Sequence, residues 1–147
     1  MIIEIKSFST EEKENMISCY KIRNRIFVEE QGVDKTLEFD GLDDHAVHYL
    51  LSEDGKDVAT ARWIEKPEGV KIERFAVLKE YRNKAYGTLL LKYILVELVL
   101  SKKPIFLHSQ ESAVKFYSVN GFDIEGDDFK EAGIIHKKMV FTNSSKN

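Results

Sequence analysis

One cysteine, two prolines and no long uninterrupted apolar run mark this 147-residue chain, and each scarcity closes a class. Cys19 alone can form no intramolecular disulfide and no multi-cysteine zinc site. Inside a helical pattern it reads as a small buried apolar residue. The most hydrophobic stretch, Leu89 to Leu100, is twelve residues long and holds Lys92 and Glu97, too short and too charged to span a bilayer. Glu4 interrupts the N-terminus, so no secretory signal is read there and a reduced, cytoplasmic location is expected. Basic excess is missing too. Twenty-two Lys and Arg against 25 Asp and Glu give a net charge of −3, which argues against a nucleic-acid partner.

What remains is the balance of a globular domain, 43% hydrophobic and 32% charged. A chain of this length buries about 70% of its unfolded surface, enough core without staples. Met1 to Phe8 reads as a strand. Ser9 and Glu12 have capping-box spacing before a helix from Thr10 to about Glu29. Gln31 to Asp44, with two glycines and five acidic residues, reads as a loop. Strands follow at Ala46–Ser52, Asp57–Glu65 and Val70–Leu78, joined by turns at Asp54-Gly55 and Pro67-Glu68-Gly69. A helix from Ala85 to Lys102, apolar on most sides, is expected to pack on two faces and to end before Pro104. A strand at Ile105–His108 and a helix at Gln110–Asn120 lead to Gly121, placed for a left-handed C-cap. Phe122–Glu125 and Ile134–Phe141 supply the last strands. The reading is α/β: one domain over 1–141, with a mixed, mostly antiparallel sheet flanked by helices and a frayed polar tail at 142–147.

Arg82-Asn83-Lys84-Ala85-Tyr86-Gly87 lies between a strand and a helix start. Successive backbone N–H groups there, with the helix dipole behind them, form an anion cradle. Glu73-Arg74-Phe75-Ala76-Val77 precedes it on a strand, and Phe116-Tyr117 with Asn120-Gly121-Phe122 follows some thirty residues later. Further segments are Arg25 to Val33, the acidic-histidine run Asp40 to His48, Gln110 to Ala113, and Gly133 to His136. Together, in their order along the chain, they resemble the GNAT superfamily of acetyl-CoA-dependent N-acetyltransferases, and within it the small bacterial subgroup typified by ElaA and YjcF. Arg82 and Gly87 match the coenzyme-loop pattern; Ala85 replaces its usual first glycine.

The resemblance implies an acyl-CoA N-acyltransferase fold and direct transfer of acetyl from acetyl-CoA to a primary amine on a small molecule or peptide. It implies a bulged strand that splays to admit pantetheine, with backbone contacts from Phe75, Ala76 and Val77. The pyrophosphate falls to the amides of Asn83, Lys84, Ala85, Tyr86, Gly87 and Thr88, with charge from Arg82 or Lys84. Gln110, Ala113 and Phe116 are further expected coenzyme contacts. Tyr117 is the expected acid for the departing thiolate, its bland alternative being a packed aromatic. Glu73 is the expected base, with a pKa raised by burial, its alternative a salt bridge to Arg74 or Lys71. Glu29, Glu30, Gln31, Asp40 and His45 are expected on the acceptor side, where negative charge would draw a cationic amine. A metal site on the acidic-histidine run, and the metal-dependent hydrolase it would imply, rank well below this, so no metal is expected. A non-catalytic acyl-CoA-binding regulatory domain is the competing class, motivated by Ala85. Dimers are common in the family, which leaves a homodimer open.

Overall fold

The computed structural model describes residues 1–144. Among the described residues eight strands form one sheet; numbered along the chain, they lie in the order 1-2-3-4-5-8-6, with the seventh paired to the eighth. They are β1 Ile3–Phe8, β2 Ala46–Glu53, β3 Lys56–Lys66, β4 Gly69–Val77, β5 Ile105–Gln110, β6 Phe122–Ile124, β7 Phe129–Glu131 and β8 Ile134–Phe141. Every pairing is antiparallel except β4 with β5. That parallel step requires a crossover, supplied by α3 (Tyr86–Val99). Helices α1 (Lys13–Arg23), α2 (Lys35–Glu38) and α4 (Val114–Val119) complete the fold.

The helices sort to the two faces of the sheet. Tyr86, Leu90, Leu91, Ile94 and Leu98 of α3, with Tyr117 of α4, bury against Tyr49, Leu51, Val70, Ile72 and Leu107. On the opposite face Met16, Cys19 and Ile22 of α1 pack with Ile26, Leu50 and Ala76. Cys19 is fully buried there, and burial pushes its thiol up to about 11. Gly69 opens β4 at φ +145°, and a Cβ on it would lie 2.4 Å from the Pro104 carbonyl oxygen. Only glycine permits that approach of two backbones.

Several local expectations are corrected. Ser9 caps a turn, its hydroxyl accepting from the Glu11 amide, and α1 starts at Lys13 without a side-chain cap. The helix then continues through Asn24–Glu30 as a π-helical turn. The acidic segment is not plain loop. Asp34 accepts from the Thr36 amide at 2.8 Å and caps the single turn of α2, and a 3-10 turn spans Asp43–His45. Helix α3 packs on one face only: Leu89, Val96, Val99 and Leu100 stay exposed, because the sheet lies on one side of it. Strand β7 was not anticipated. Its hairpin with β8 turns through Ala132 (φ +51°) and Gly133 (φ +76°), and an alanine hides the usual Asn-Gly signal. Gly121 takes the expected positive φ, at +97°. The amides of Thr142 and Asn143 both donate to the Gly121 carbonyl, so this part of the expected tail is tied to the sheet rather than frayed. Residues 145–147 of that tail lie outside the described residues.

Candidate active site

Strands β4 and β5 pair at Val70–Ile105, Lys71–Phe106 and Ile72–Leu107, and then part. β4 remains on β3, β5 remains on β8, and a V opens between them. The cause is a bulge. Arg62 pairs with Glu73 and Thr60 with Ala76, so the single residue Ala61 of β3 stands against Arg74 and Phe75 of β4, and Arg74 has φ +54°. One extra residue shifts the phase of the pleat. Val70 and Ile72 face α3, whereas Ala76 beyond the bulge packs toward α1. Into the V opens a cavity of about 990 Å³.

At one end of the cavity lies the loop before α3. Asn83 (φ +66°) and Ala85 (φ +63°) are both left-handed, a geometry that turns successive N–H groups toward one side. Ala85 is the N-cap and offers no side-chain bond, so the first-turn amides of α3 stay available to an anion. Gly87 serves packing as well: a Cβ there would meet the Phe116 ring at 3.3 Å. Arg82, Asn83, Ala85, Tyr86, Gly87 and Thr88 all line the cavity, but Lys84 does not. Its Nζ lies 3.4 Å from Glu53 and over the Tyr81 ring. Tyr86 sends its hydroxyl to Glu53 and its ring into the core, leaving its backbone for the loop. Arg82 is engaged as well, donating to the Val77 carbonyl at 3.0 Å and to both Glu30 carboxylate oxygens at 2.9 and 3.0 Å.

Tyr117 lines the wall from α4, its ring packed among Phe75, Phe116 and Phe122. Its hydroxyl has no hydrogen-bond partner among the described residues. Yet no fully buried side-chain oxygen or nitrogen there lacks a partner, so this oxygen is open to the cavity. Burial of the ring pushes its pKa up, which keeps the proton on. Phe75, Ala76, Val77, Gln110, Ala113 and Phe116 line the same space.

The opposite wall is an ionic network that spacing alone did not reveal. Arg23 binds Glu38 at 2.9 Å and Asp43 at 2.8 Å. Arg62, fully buried, binds Asp40, Asp43 and Glu73 at 2.8, 2.8 and 2.9 Å. Arg74 binds Glu38 and Asp40, and Lys71 binds Glu73 at 3.0 Å. Four cations thus meet the four carboxylates of Glu38, Asp40, Asp43 and Glu73, so these four offer an incoming cation no net negative charge.

Glu73 is corrected accordingly. Burial would raise its pKa, but Lys71 and Arg62 outweigh that and hold it below the ordinary value. Burial acts on Asp40 the same way, and hydrogen bonds from Arg62 and from the Leu42 amide bring it down to about 2. Of the other acceptor-side candidates, Glu30 and Gln31 reach the cavity; Glu29 bonds Asn24, and His45 is exposed away from the cavity. No three His, Cys, Asp or Glu side chains among the described residues are grouped to hold a metal ion.

Missed as well were His108 and Glu131, which line the cavity where the V begins beside Lys71, expected only as an alternative partner of Glu73, and His136 of the Gly133 to His136 segment. The period of two in Phe106, His108 and Gln110 carried a signal, since it puts His108 on the face of Gln110, which bonds Gln31 at 2.7 Å. The site therefore joins an anion cradle, an unpaired strand edge, a free phenol and a polar wall around one slot.

The acetyltransferase (GNAT) domain family model matches residues 7–143. The uncharacterized N-acetyltransferase YjcF of Bacillus subtilis is 29% identical over 138 residues, covering 92% of this chain and 99% of YjcF. Escherichia coli ElaA has a crystal structure with a TM-score of 0.85 at 26% identity, covering 95% of this chain and 99% of ElaA. A GNAT family acetyltransferase of Elizabethkingia anophelis, crystallised with acetyl-CoA bound, shares the fold at a TM-score of 0.68 and 15% identity, covering 94% of each chain. No helix among the described residues is long and apolar enough to cross a membrane. With its bulged β4, its splayed β5 and a family match over nearly its whole length, this chain belongs to the GNAT acetyltransferase family and is an acyltransferase.

Proposed function

We propose that this enzyme transfers acetyl from acetyl-CoA directly to a primary amine of a small molecule or peptide. The observation that carries the reading is the continuity of one cavity from the amide cradle at residues 83–88 to the open Tyr117 hydroxyl. Bound there, acetyl-CoA would supply a thioester carbonyl open to attack by an amine. The amides of Asn83, Ala85, Tyr86, Gly87 and Thr88 hold the diphosphate, the first turn of α3 adding its dipole. Phe75, Ala76 and Val77 present backbone groups to the pantetheine amides along the edge that β5 leaves free. The Val77 carbonyl, now taken by Arg82, becomes available if that guanidinium turns to the phosphates. A backbone N–H near Phe75 or Ala76 steadies the carbonyl oxygen as it gains charge.

Tyr117 keeps its proton across the working pH range and donates to the thiolate as it leaves. Glu73 is better suited to orienting Lys71 and Arg62 than to taking a proton, since both its oxygens already face cations. Buried Cys19, on the far side of β4, plays no covalent part. The test is thiol release from acetyl-CoA across a panel of primary amines, in wild type and Tyr117→Phe. The expected loss in turnover is about 100-fold, with coenzyme affinity within about twofold. Equal turnover in both would make Tyr117 a packing residue only.

A further inference from the structure

A second titratable group faces the slot from the β5 side. His108 is the first β5 residue after the strands part, as Glu73 is on β4. Its Nδ1 lies 3.0 Å from Glu131 Oε1, across the β7–β8 hairpin. Phe129 sets its ring edge-on against the imidazole at 4.9 Å between centroids. The carboxylate therefore holds the Nδ1–H tautomer, because only a protonated Nδ1 can donate to it. Nε2 is left as an acceptor with no partner among the described residues, on a side chain that lines the cavity and is a quarter exposed. His136 sits beyond, its Nδ1 donating to the Ile134 carbonyl at 2.8 Å and its Nε2 3.7 Å from Glu131 Oε2.

We propose that His108 Nε2 takes the proton from the acceptor ammonium, with Glu131 positioning the ring. The inference rests on the acyl-transfer reading above. An acceptor arriving as R–NH₃⁺ gives one proton to Nε2. The free amine then forms the C–N bond as the C–S bond breaks. Tyr117 gives its proton to the departing thiolate, the second nitrogen proton passes to the Tyr117 oxygen in its place, and His108 returns its proton to solvent. The contrast with Glu73 is physical. Both carboxylate oxygens of Glu73 meet cations, whereas His108 faces the Glu131 carboxylate, which the hydrogen bond from His108 and then the charge of Lys71 hold down at about 2. An ionised neighbour stabilises the imidazolium that forms. The charged groups around this ring are Glu131 on β7, His136 and Lys138 on β8, and Lys71 and Glu73 on β4.

The test uses the whole enzyme and two small nucleophiles: ethylamine, protonated near neutral pH, and methoxyamine, unprotonated there. His108→Asn keeps a donor toward Glu131 and removes the base. Ethylamine transfer should fall by about 100-fold or more and lose its acid limb in the kcat/KM–pH profile, with methoxyamine transfer falling less than about fivefold. Glu131→Gln should move that limb to lower pH, which a purely structural role would not do. Equal losses for both nucleophiles, an unchanged limb in His108→Asn, or the same selective loss only in His136→Asn would overturn the proposal. Calorimetric titration with acetyl-CoA separates the two readings. A wild type that binds no coenzyme would remove the acyl-transfer reading and this one with it. Bound coenzyme with an unaffected His108→Asn would remove this one alone.

Discussion

Replacing Ala85 by glycine should make the protein more stable, although glycine usually weakens a helix start relative to better caps. Ala85 sits at φ +63° and ψ +15° at the N-cap of α3, where its Cβ crowds the following carbonyl oxygen. A non-glycine residue held left-handed costs about 1–2 kcal/mol. Against this, glycine adds unfolded-chain entropy worth about 0.4–1 kcal/mol. As an N-cap glycine ranks above alanine, returning about 0.5 kcal/mol. The net is a gain of about 1 kcal/mol, or a Tm rise of about 3 °C for a chain of this size. Thermal unfolding followed by far-ultraviolet circular dichroism reads it. Repeated with acetyl-CoA, the coenzyme-induced shift should be at least as large in Ala85→Gly, since a Cβ beside the cradle is gone. A lower Tm in the variant would refute the left-handed geometry at Ala85 and the strain assigned to it.

Arg62→Met should cost about 3–5 kcal/mol in urea unfolding, because Asp40, Asp43 and Glu73 would lose a shared buried cation; a loss under about 1 kcal/mol would contradict that. Acid should act through the same network. Asp40, Asp43 and Glu73 have folded pKa values below their unfolded ones, so their stabilisation is full above about pH 4 and fades as pH falls toward the folded value, about 2 for Asp40. Glu38, raised first by burial, carries the opposite sign and offsets part of this. Urea midpoints between about pH 4 and 2 should fall steeply in wild type and less steeply in Asp40→Asn; identical slopes would count against the assignment.

Alternation and punctuation made the frame legible. The strand runs at 46–52 and 57–65, the Asp54-Gly55 turn and the Pro104 stop lie close to their places in the fold. The cradle end of the slot was equally readable, since a loop between strand and helix needs only local geometry to form one. Tyr117 and Gly87 were singled out by the resemblance to the GNAT family, Tyr117 beside Phe116 and Gly87 in the loop pattern, rather than by spacing alone. What escaped was long-range. Arg23, Arg62 and Arg74 look like solvated charges one by one, and only the sheet register brings Arg62 opposite Glu73 and closes the network. That network reversed the expected direction of the Glu73 pKa and neutralised its four carboxylates. His108 and Glu131 escaped for the same reason: 23 residues separate them, and a turn through Ala132 and Gly133 brings them together.

The central claim is that the V between β4 and β5 is an acetyl-CoA site, and calorimetric titration of the purified protein with acetyl-CoA, then with CoA, tests it most directly. Saturable binding of one coenzyme per chain, accompanied by thermal stabilisation, is the predicted result. Absence of both heat and stabilisation at millimolar coenzyme would contradict it.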